Sequence, residues 1–434
     1  MTRHRGVGLA TIMMAMALVL AACGSSSPSS SKASSSRSGG TVTEAAVIAY
    51  TGTNAFEGGV TDAGLYPAAY EINKAGGILG KRLTILPVDT RGDPADALPL
   101  MEKMLATTHN LLGISGLGTE SGPTLIPVAN SAHVVSTISA GEATYDRMTY
   151  PYIWRLLPPD PVNGEAMALW ARHLGYTRIA TVFGTNASAQ GDLPGVLAGI
   201  KAIHAKLVLN LGLTPDQPSY RTDVERLIAA RPQVIMTESD GPTAATFFGE
   251  LKQLGKLVPI IGTSGTAVSS WIGPLRSAIG VSDFEHYVTI VNAASPKPTP
   301  AFTAYVDGLH HSASKVPHPV NQWESNSYAQ AFYDQVIMQA LAADAAHSTK
   351  GSVYDKYIEK VTEPGPGKTI VYSYAQGKKA LAEGKQIEYV GASGRIVFDK
   401  YHNSFGNEVA ERIPVTGRAI ILGVITEKSI QALG

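Results

Sequence analysis

A helix-patterned run, closed by paired glycines and followed at once by a strand-like run, constrains this chain most. Leu65, Ala68, Ala69 and Ile72 recur at helical spacing, so Gly59 to Ala75 predicts a helix with one buried face. Gly76-Gly77 supplies the left-handed backbone that commonly ends a helix. Gly80-Lys81 then turns the chain into Leu83–Val88, a short apolar run with polar flanks, which predicts a strand. Another strand precedes the helix at Ala45–Tyr50. A strand–helix–strand unit of this kind closes with a right-handed crossover and parallel strands.

The same alternation continues. A helix is expected from Pro94 to Thr107, since proline at the first helical position loses no hydrogen bond there. Strands follow at Leu111–Ser115 and His133–Ser136, with a helix ending near Asn130 between them. Tyr152–Leu156 and Pro158-Pro159 read as a break, after which the rhythm restarts. Helices are expected at Pro161–Leu174, Leu193–Ala205, Tyr220–Ala230 and Pro242–Leu254. The strands among them are Ile179–Phe183, Leu207–Leu211, Val234–Met236 and Val258–Ile261. Val288–Val291 and the proline-rich stretch 296–300 mark a second change, followed by helices near 301–311, 325–346 and 353–361 and a last strand at 419–424. Regular alternation of this kind argues for an α/β protein with parallel sheets in two doubly wound units.

The chain has 434 residues, with 35 basic and 35 acidic side chains, a balance that gives no sign of a nucleic-acid partner. Its single cysteine, Cys23, excludes an internal disulfide and a cysteine-rich zinc site. Arg3 and Arg5 make a basic start, Val7 to Leu20 is apolar, and Leu20-Ala21-Ala22-Cys23 closes the run in the manner of a signal peptide. That tetrapeptide resembles the lipobox of bacterial lipoproteins, which implies acylation of Cys23. Gly24 to Gly40 is mostly serine and predicts a tether with an end-to-end distance of about 20–25 Å. No later run approaches the ~20 apolar residues that span a bilayer.

Two stretches carry a family likeness. EINKAGGILGK (71–81) and YVGASGRIVFD (389–399) resemble segments of the periplasmic solute-binding proteins that serve branched-chain amino acid and amide ABC transporters. The resemblance runs from about Val42 to the end and implies a type I periplasmic binding protein: two Rossmann-like lobes joined by a three-strand hinge. The implied division is residues 1–22 as lipoprotein signal peptide and 23–40 as acylated cysteine and tether. Residues 41–158 plus 292–405 would form lobe 1, and 159–291 plus 406–434 lobe 2.

Ligands of open α/β sheets bind beyond the carboxyl ends of the strands. Two loops there are glycine-rich, Gly116–Gly122 and Ser139-Ala140-Gly141. The first opens a helix, whose free N–H groups and positive dipole end suit a carboxylate or amide oxygen. In the amino acid-binding relatives the equivalent loops hold the ligand carboxylate, which the resemblance carries onto Gly118, Thr119, Ser139, Ala140 and Gly141. Ordinary α/β turns are the alternative reading. Phe56 and Glu57, after the first strand, occupy a lid position. On the second unit the family's ammonium-binding acid is missing: that loop reads Gly262-Thr-Ser264-Gly265, with no acid, and Ser264 is the candidate ligand contact there. Thr237–Gly241 holds two acids, and Asp240 either takes over an ammonium or caps the helix near Pro242. Trp154, Trp271 and Trp323 are apolar walls or core residues.

Catalytic and cofactor patterns do not form. Eleven histidines include no pair at zinc spacing, no Gly-x-Ser-x-Gly elbow occurs, and Gly365–Thr369 lacks the leading glycine of a phosphate loop. Gly116-x-Gly118-x-x-x-Gly122 follows the third strand, without the acid that would hold a ribose. The expectation is a non-enzymatic, cofactor-free monomer on the outer face of the membrane, anchored by lipid. It would capture a small polar, amino acid- or amide-like solute and deliver it to ABC permease and ATPase subunits. A ligand-sensing receptor on the same fold is the alternative, and an extracytoplasmic hydrolase a weaker one.

Overall fold

The computed structural model describes residues 39–433, save Thr53, 294–298 and 417–418. The leader, Cys23 and most of the serine-rich stretch lie outside the described residues.

Strands β1 (Thr41–Ile48), β2 (Arg82–Asp89), β3 (Leu111–Gly116), β4 (Ser136–Ile138) and β5 (Ile153–Trp154) form one sheet in the order β2-β1-β3-β4-β5. Every pairing in it is parallel. Successive side chains of a strand face opposite sides. Val42 and Ala46 accordingly pack with the helices Phe56–Lys74 and Ser327–Ala345, and Ala45 and Val47 with the helices Pro94–Thr107 and Gly122–Ser131.

The second sheet is built from β6 (Arg178–Gly184), β7 (Lys206–Leu213), β8 (Val234–Glu238), β9 (Ile260–Gly262) and β10 (Val288–Ala293). A two-stranded parallel pair, β11 (Thr369–Val371) and β12 (Ile387–Tyr389), precedes β13 (Glu408–Arg412) and β14 (Ile420–Ile425). The second sheet runs β14-β13-β10-β9-β8-β6-β7. Ala180 and Val182 face one apolar cluster while Ile179 and Phe183 face another, so helices cover both sides. The chain therefore makes two α/β lobes and passes between the sheets three times: after β5, after β10 and before β13.

The opening helix runs Phe56–Lys74, with Gly76 at φ +88° and Gly77 at φ +71°. The amide of Asn73 then both donates to Leu83 O (2.9 Å) and accepts from Leu83 N (2.8 Å), so a side chain locks helix end to strand start.

Several boundaries differ from the sequence reading. The strand expected at 133–136 lies at Ser136–Ile138, because its partner residues Ile114–Gly116 pair there. Inside the expected break, Ile153–Trp154 is the edge strand of the first sheet. The helix expected to Ala205 ends at Ala202, and 353–361 is two short helices, Gly351–Tyr354 and Ile358–Thr362, joined by a 3-10 turn. The second sheet is not wholly parallel: β13 pairs antiparallel with both β10 and β14. The three tryptophans are core residues. Trp154 donates to Asp355 (2.9 Å) and stacks on His402, Trp271 is buried, and Trp323 donates to Pro317 O.

Candidate functional site

The two glycine-rich loops of the first lobe meet. Leu117, at φ +52°, donates its N–H to Val47 O, and Ser139 N donates to Gly116 O (2.8 Å), so the loops after β3 and β4 are held side by side. Gly122 N donates to Gly118 O (2.7 Å), and no side chain caps the helix Gly122–Ser131. Glu57 reaches the same place. A Cβ on Gly118 would sit 3.1 Å from its Oε2. Thr119 is half-buried beside it, while Phe56 is 43% exposed at the start of its helix.

Beneath these loops lies Arg155, which sequence reading passed over. It is fully buried; Nη1 donates to Ala140 O and Glu142 O, Nε to Asn403 Oδ1 (2.8 Å), and Nη2 to Asp146 (2.5 Å). A cation there fixes the backbone of Ala140 and pairs with Asp146, leaving it little to offer a ligand.

From Gly141 the site crosses to the second lobe. Asp160 N donates to Gly141 O (2.7 Å). Its carboxyl fills the space where a Cβ on Gly141 or on Gly191 would stand, at 1.7 and 2.1 Å from its oxygens. Only glycine permits that approach. Glu238, at the end of β8, accepts from Ser188 Oγ (3.2 Å) and Thr263 Oγ1 (2.5 Å). Asp192, between two short helices, completes a group of three carboxyls with Asp160 and Glu238. Ser264 joins the opposite lobe: its Oγ lies 3.0 Å from Tyr328 Oη, on the helix Ser327–Ala345, and its N donates to Asn163 Oδ1.

Asp240 takes the capping role left open in the sequence. Its Oδ1 accepts from Thr243 N (2.8 Å) at the start of the helix Gly241–Gln253. The acid that meets Asp160 and Asp192 is its neighbour Glu238, two residues earlier. Both were visible in the loop 237–241; only the register of β8 tells which one turns inward.

Burial sets the electrostatics. It pushes Glu57 up to about 8, assisted by the negative charges of Glu120 and Glu142. Asp160 is likewise pushed to about 8 by burial, then by Glu238 and Glu142. Burial also raises Asp192 and Glu238 above the usual carboxylate range. Among the described residues no group of three or more His, Cys, Asp or Glu is arranged to hold a metal ion. One cavity, of about 260 Å³, lies between Leu156–Pro158, Ser393–Val397 and Ser404–Asn407, and none of the candidate residues lines it. A much smaller one is lined by Asp160, Asn163, Ser264 and Tyr328.

Residues 41–389 match the sequence profile of a family described as Periplasmic binding protein. The chain belongs to the periplasmic binding protein family. Among relatives, the Leu/Ile/Val-binding protein BraC3 of Rhizobium johnstonii is 23% identical over 295 residues, 66% of this chain and 76% of that one. Glutamate receptor 3.1 of Oryza sativa subsp. japonica is 21% identical over 71% of this chain; the match spans 33% of the receptor's length. The solved leucine binding protein LivK of Thermotoga maritima superposes with a TM-score of 0.68 at 17% identity, covering 89% of this chain and 99% of that one. LivJ of Streptococcus pneumoniae, in complex with isoleucine, gives 0.68 at 15% identity with the same coverage. At such identities the structural likeness is one of fold, and the fold is that of the type I binding proteins. Among the described residues no helix is long and apolar enough to cross a membrane.

Proposed function

We propose that this periplasmic binding protein is the extracytoplasmic solute-binding subunit of an ABC importer. It captures a small polar solute of the amino acid or amide class between its lobes. The supporting observation is the convergence of loops from both sheets on Asp160, where Gly141 of the first lobe and Gly191 of the second both leave room for its carboxyl. The lobes close about the three passages between the sheets, a hinge of the kind that clamps ligands. Solute contacts from the first lobe come from Phe56, Glu57, Gly118, Thr119, Ser139, Ala140 and Gly141, and from the second from Glu238 and Ser264. Cys23 carries the lipid that holds the protein at the outer face of the membrane. Permease and ATPase subunits receive the solute, and the protein itself performs no chemistry.

Closure requires a solute that favours the closed state over the open one. Thermal unfolding across amino acids, amides, amines and small carboxylates, paired with small-angle scattering, tests the reading. A true ligand at a hundredfold excess over Kd adds about 2.7 kcal/mol and contracts the molecule. A panel with no stabilisation and no contraction counts against solute capture. The likeness to Glutamate receptor 3.1 favours a second reading, a sensor that reports occupancy to a membrane partner. Co-purification with a permease separates it from transport.

A further inference from the structure

Resting on the solute-capture reading, the chemistry of the cleft narrows the solute. We infer that it is an organic cation without a free carboxylate: an amine, amidine or guanidine whose charged nitrogen sits against Asp160, Asp192 and Glu238.

The three carboxyls come from separate parts of the chain, the first turn of the helix Asp160–His173, the junction at Asp192 and the end of β8. Asp192 is 4% exposed, shares a carboxyl–carboxyl hydrogen bond with Glu238 and lies beside Asp160, and its Oδ1 accepts from no N–H or hydroxyl donor among the described residues. An unpartnered buried carboxyl oxygen is costly, and a donor supplied by a ligand removes the cost. It does not cap the helix that follows it. No Lys, Arg or His among the described residues lies within ion-pair distance of these three groups. The nearby Arg155 is instead paired with Asp146. Among the described residues these carboxyls do not form a group of three or more ligands arranged to hold a metal ion.

The other end of the site argues against a zwitterion. The loop that would receive a carboxylate, at Gly118 and Thr119, has Glu57 against Gly118, with Glu120 in the same loop and Glu142 beside Gly141. The Oε2 of Glu142 is itself buried without a partner. A solute carboxylate placed there stands among acids that burial already holds toward their protonated form and opposes their ionisation further, whereas hydroxyls, amides or a second ammonium find acceptors. The raised pKa of Glu57, caused by burial and then by Glu120 and Glu142, reflects the same crowding of negative charge.

The test uses matched pairs that differ only in the carboxylate, arginine against agmatine and ornithine against putrescine, with leucine against leucinamide as a monocationic pair. Titration calorimetry on the purified full chain at pH 8 is expected to show the decarboxylated or amidated member binding at least tenfold tighter. Asp192→Asn is expected to weaken that binding at least tenfold while leaving the unfolding temperature unchanged or raised. Binding in two buffers of different ionisation enthalpy is expected to show proton release. Tighter binding of the carboxylate member overturns the inference and leaves solute capture intact. Unchanged affinity in Asp192→Asn, with cations still bound, removes the three carboxyls as the site. Absence of binding and contraction with every solute overturns solute capture itself, and the inference with it.

Discussion

Two groups of buried carboxyls in this molecule are wired differently. In the first lobe Glu71, Asp334 and Asp344 have both oxygens occupied. Glu71 accepts from Tyr333 Oη and Tyr374 N, and Asp344 from Leu79 N and Tyr374 Oη. Asp334 accepts four bonds, from Tyr389 Oη, Ala392 N, Ser393 N and Ser393 Oγ, all within 2.8 Å. Between the lobes, Asp192 has an oxygen with no partner and Asp160 crowds two other acids. Both groups are buried, yet burial raises Asp334 only to about 6 and Asp160 to about 8. The hydrogen bonds to Asp334 favour its charged form and offset part of the desolvation; Asp160 meets negative neighbours instead. Satisfied carboxyls hold a fold together; an oxygen without a donor occurs at Asp192 and also in the first sheet, at Glu44.

The contrast explains both family-like segments. EINKAGGILGK ends where Leu79 N and Gly77 O are tied to Asp344, Tyr374 and Lys378. In YVGASGRIVFD, a Cβ on Gly391 would lie 2.3 Å from the Asp334 carboxyl. Each is a clasp to the helix Ser327–Ala345 or its neighbour Tyr374–Ala382, and Ser393–Val397 of the second also line the cavity of about 260 Å³.

The sharpest break of the comparison is Asp334→Ala. It strands two backbone N–H groups and two hydroxyls in the core, and the expected loss is about 3–4 kcal/mol in denaturant unfolding. A loss under about 1 kcal/mol would mean that water replaces the carboxyl and that the clasp is dispensable. Asp240→Ala should cost about 1 kcal/mol as a lost helix cap and leave solute affinity unchanged in calorimetry. A large affinity loss would return Asp240 to the site. Asp192→Asn should go the other way, gaining a few tenths to about 1 kcal/mol at pH 8, because it removes repulsion that bound protons or a ligand otherwise relieve.

The pH dependence carries the same sign. Asp160 and Glu57 titrate near 8 in the folded protein against 3.8 and 4.5 in ordinary surroundings, so between those values the native state holds more protons than the unfolded one. Their contribution to stability is therefore greatest at low pH within this window and is lost as pH rises toward 8. Thermal unfolding of the ligand-free protein from pH 5 to 8 should show that decline, and Asp192→Asn should flatten it. A flat profile in the unsubstituted chain would show these carboxyls to be solvated.

Much of this was legible beforehand because it is encoded locally. The helix Pro94–Thr107 has the predicted limits: proline starts it and Asp93 accepts from Ala95 N as its cap. Glycine-rich turns after β3 and β4 announced the first-lobe loops. Asp160 and Asp192 were not legible as site residues. Asp160 opens its helix and Asp192 stands just before one, each beside or near a proline, where an acid ordinarily signals a cap, and neither side chain caps its helix. Arg155 sits in a stretch that read as a break.

Hydrophobic period, helix starts and glycine punctuation depend on residues within a few positions of one another, so the chain alone settles an α/β succession and its two halves. Which carboxyls face one another depends on where separate strands end in space. Glu238 turns inward because β8 pairs with β6 and β9 in one register, and Asp160 reaches Asp192 because glycines 141 and 191 leave it room. Ladder register and close packing between elements far apart in sequence are tertiary properties, and the charge of the cleft is decided by them.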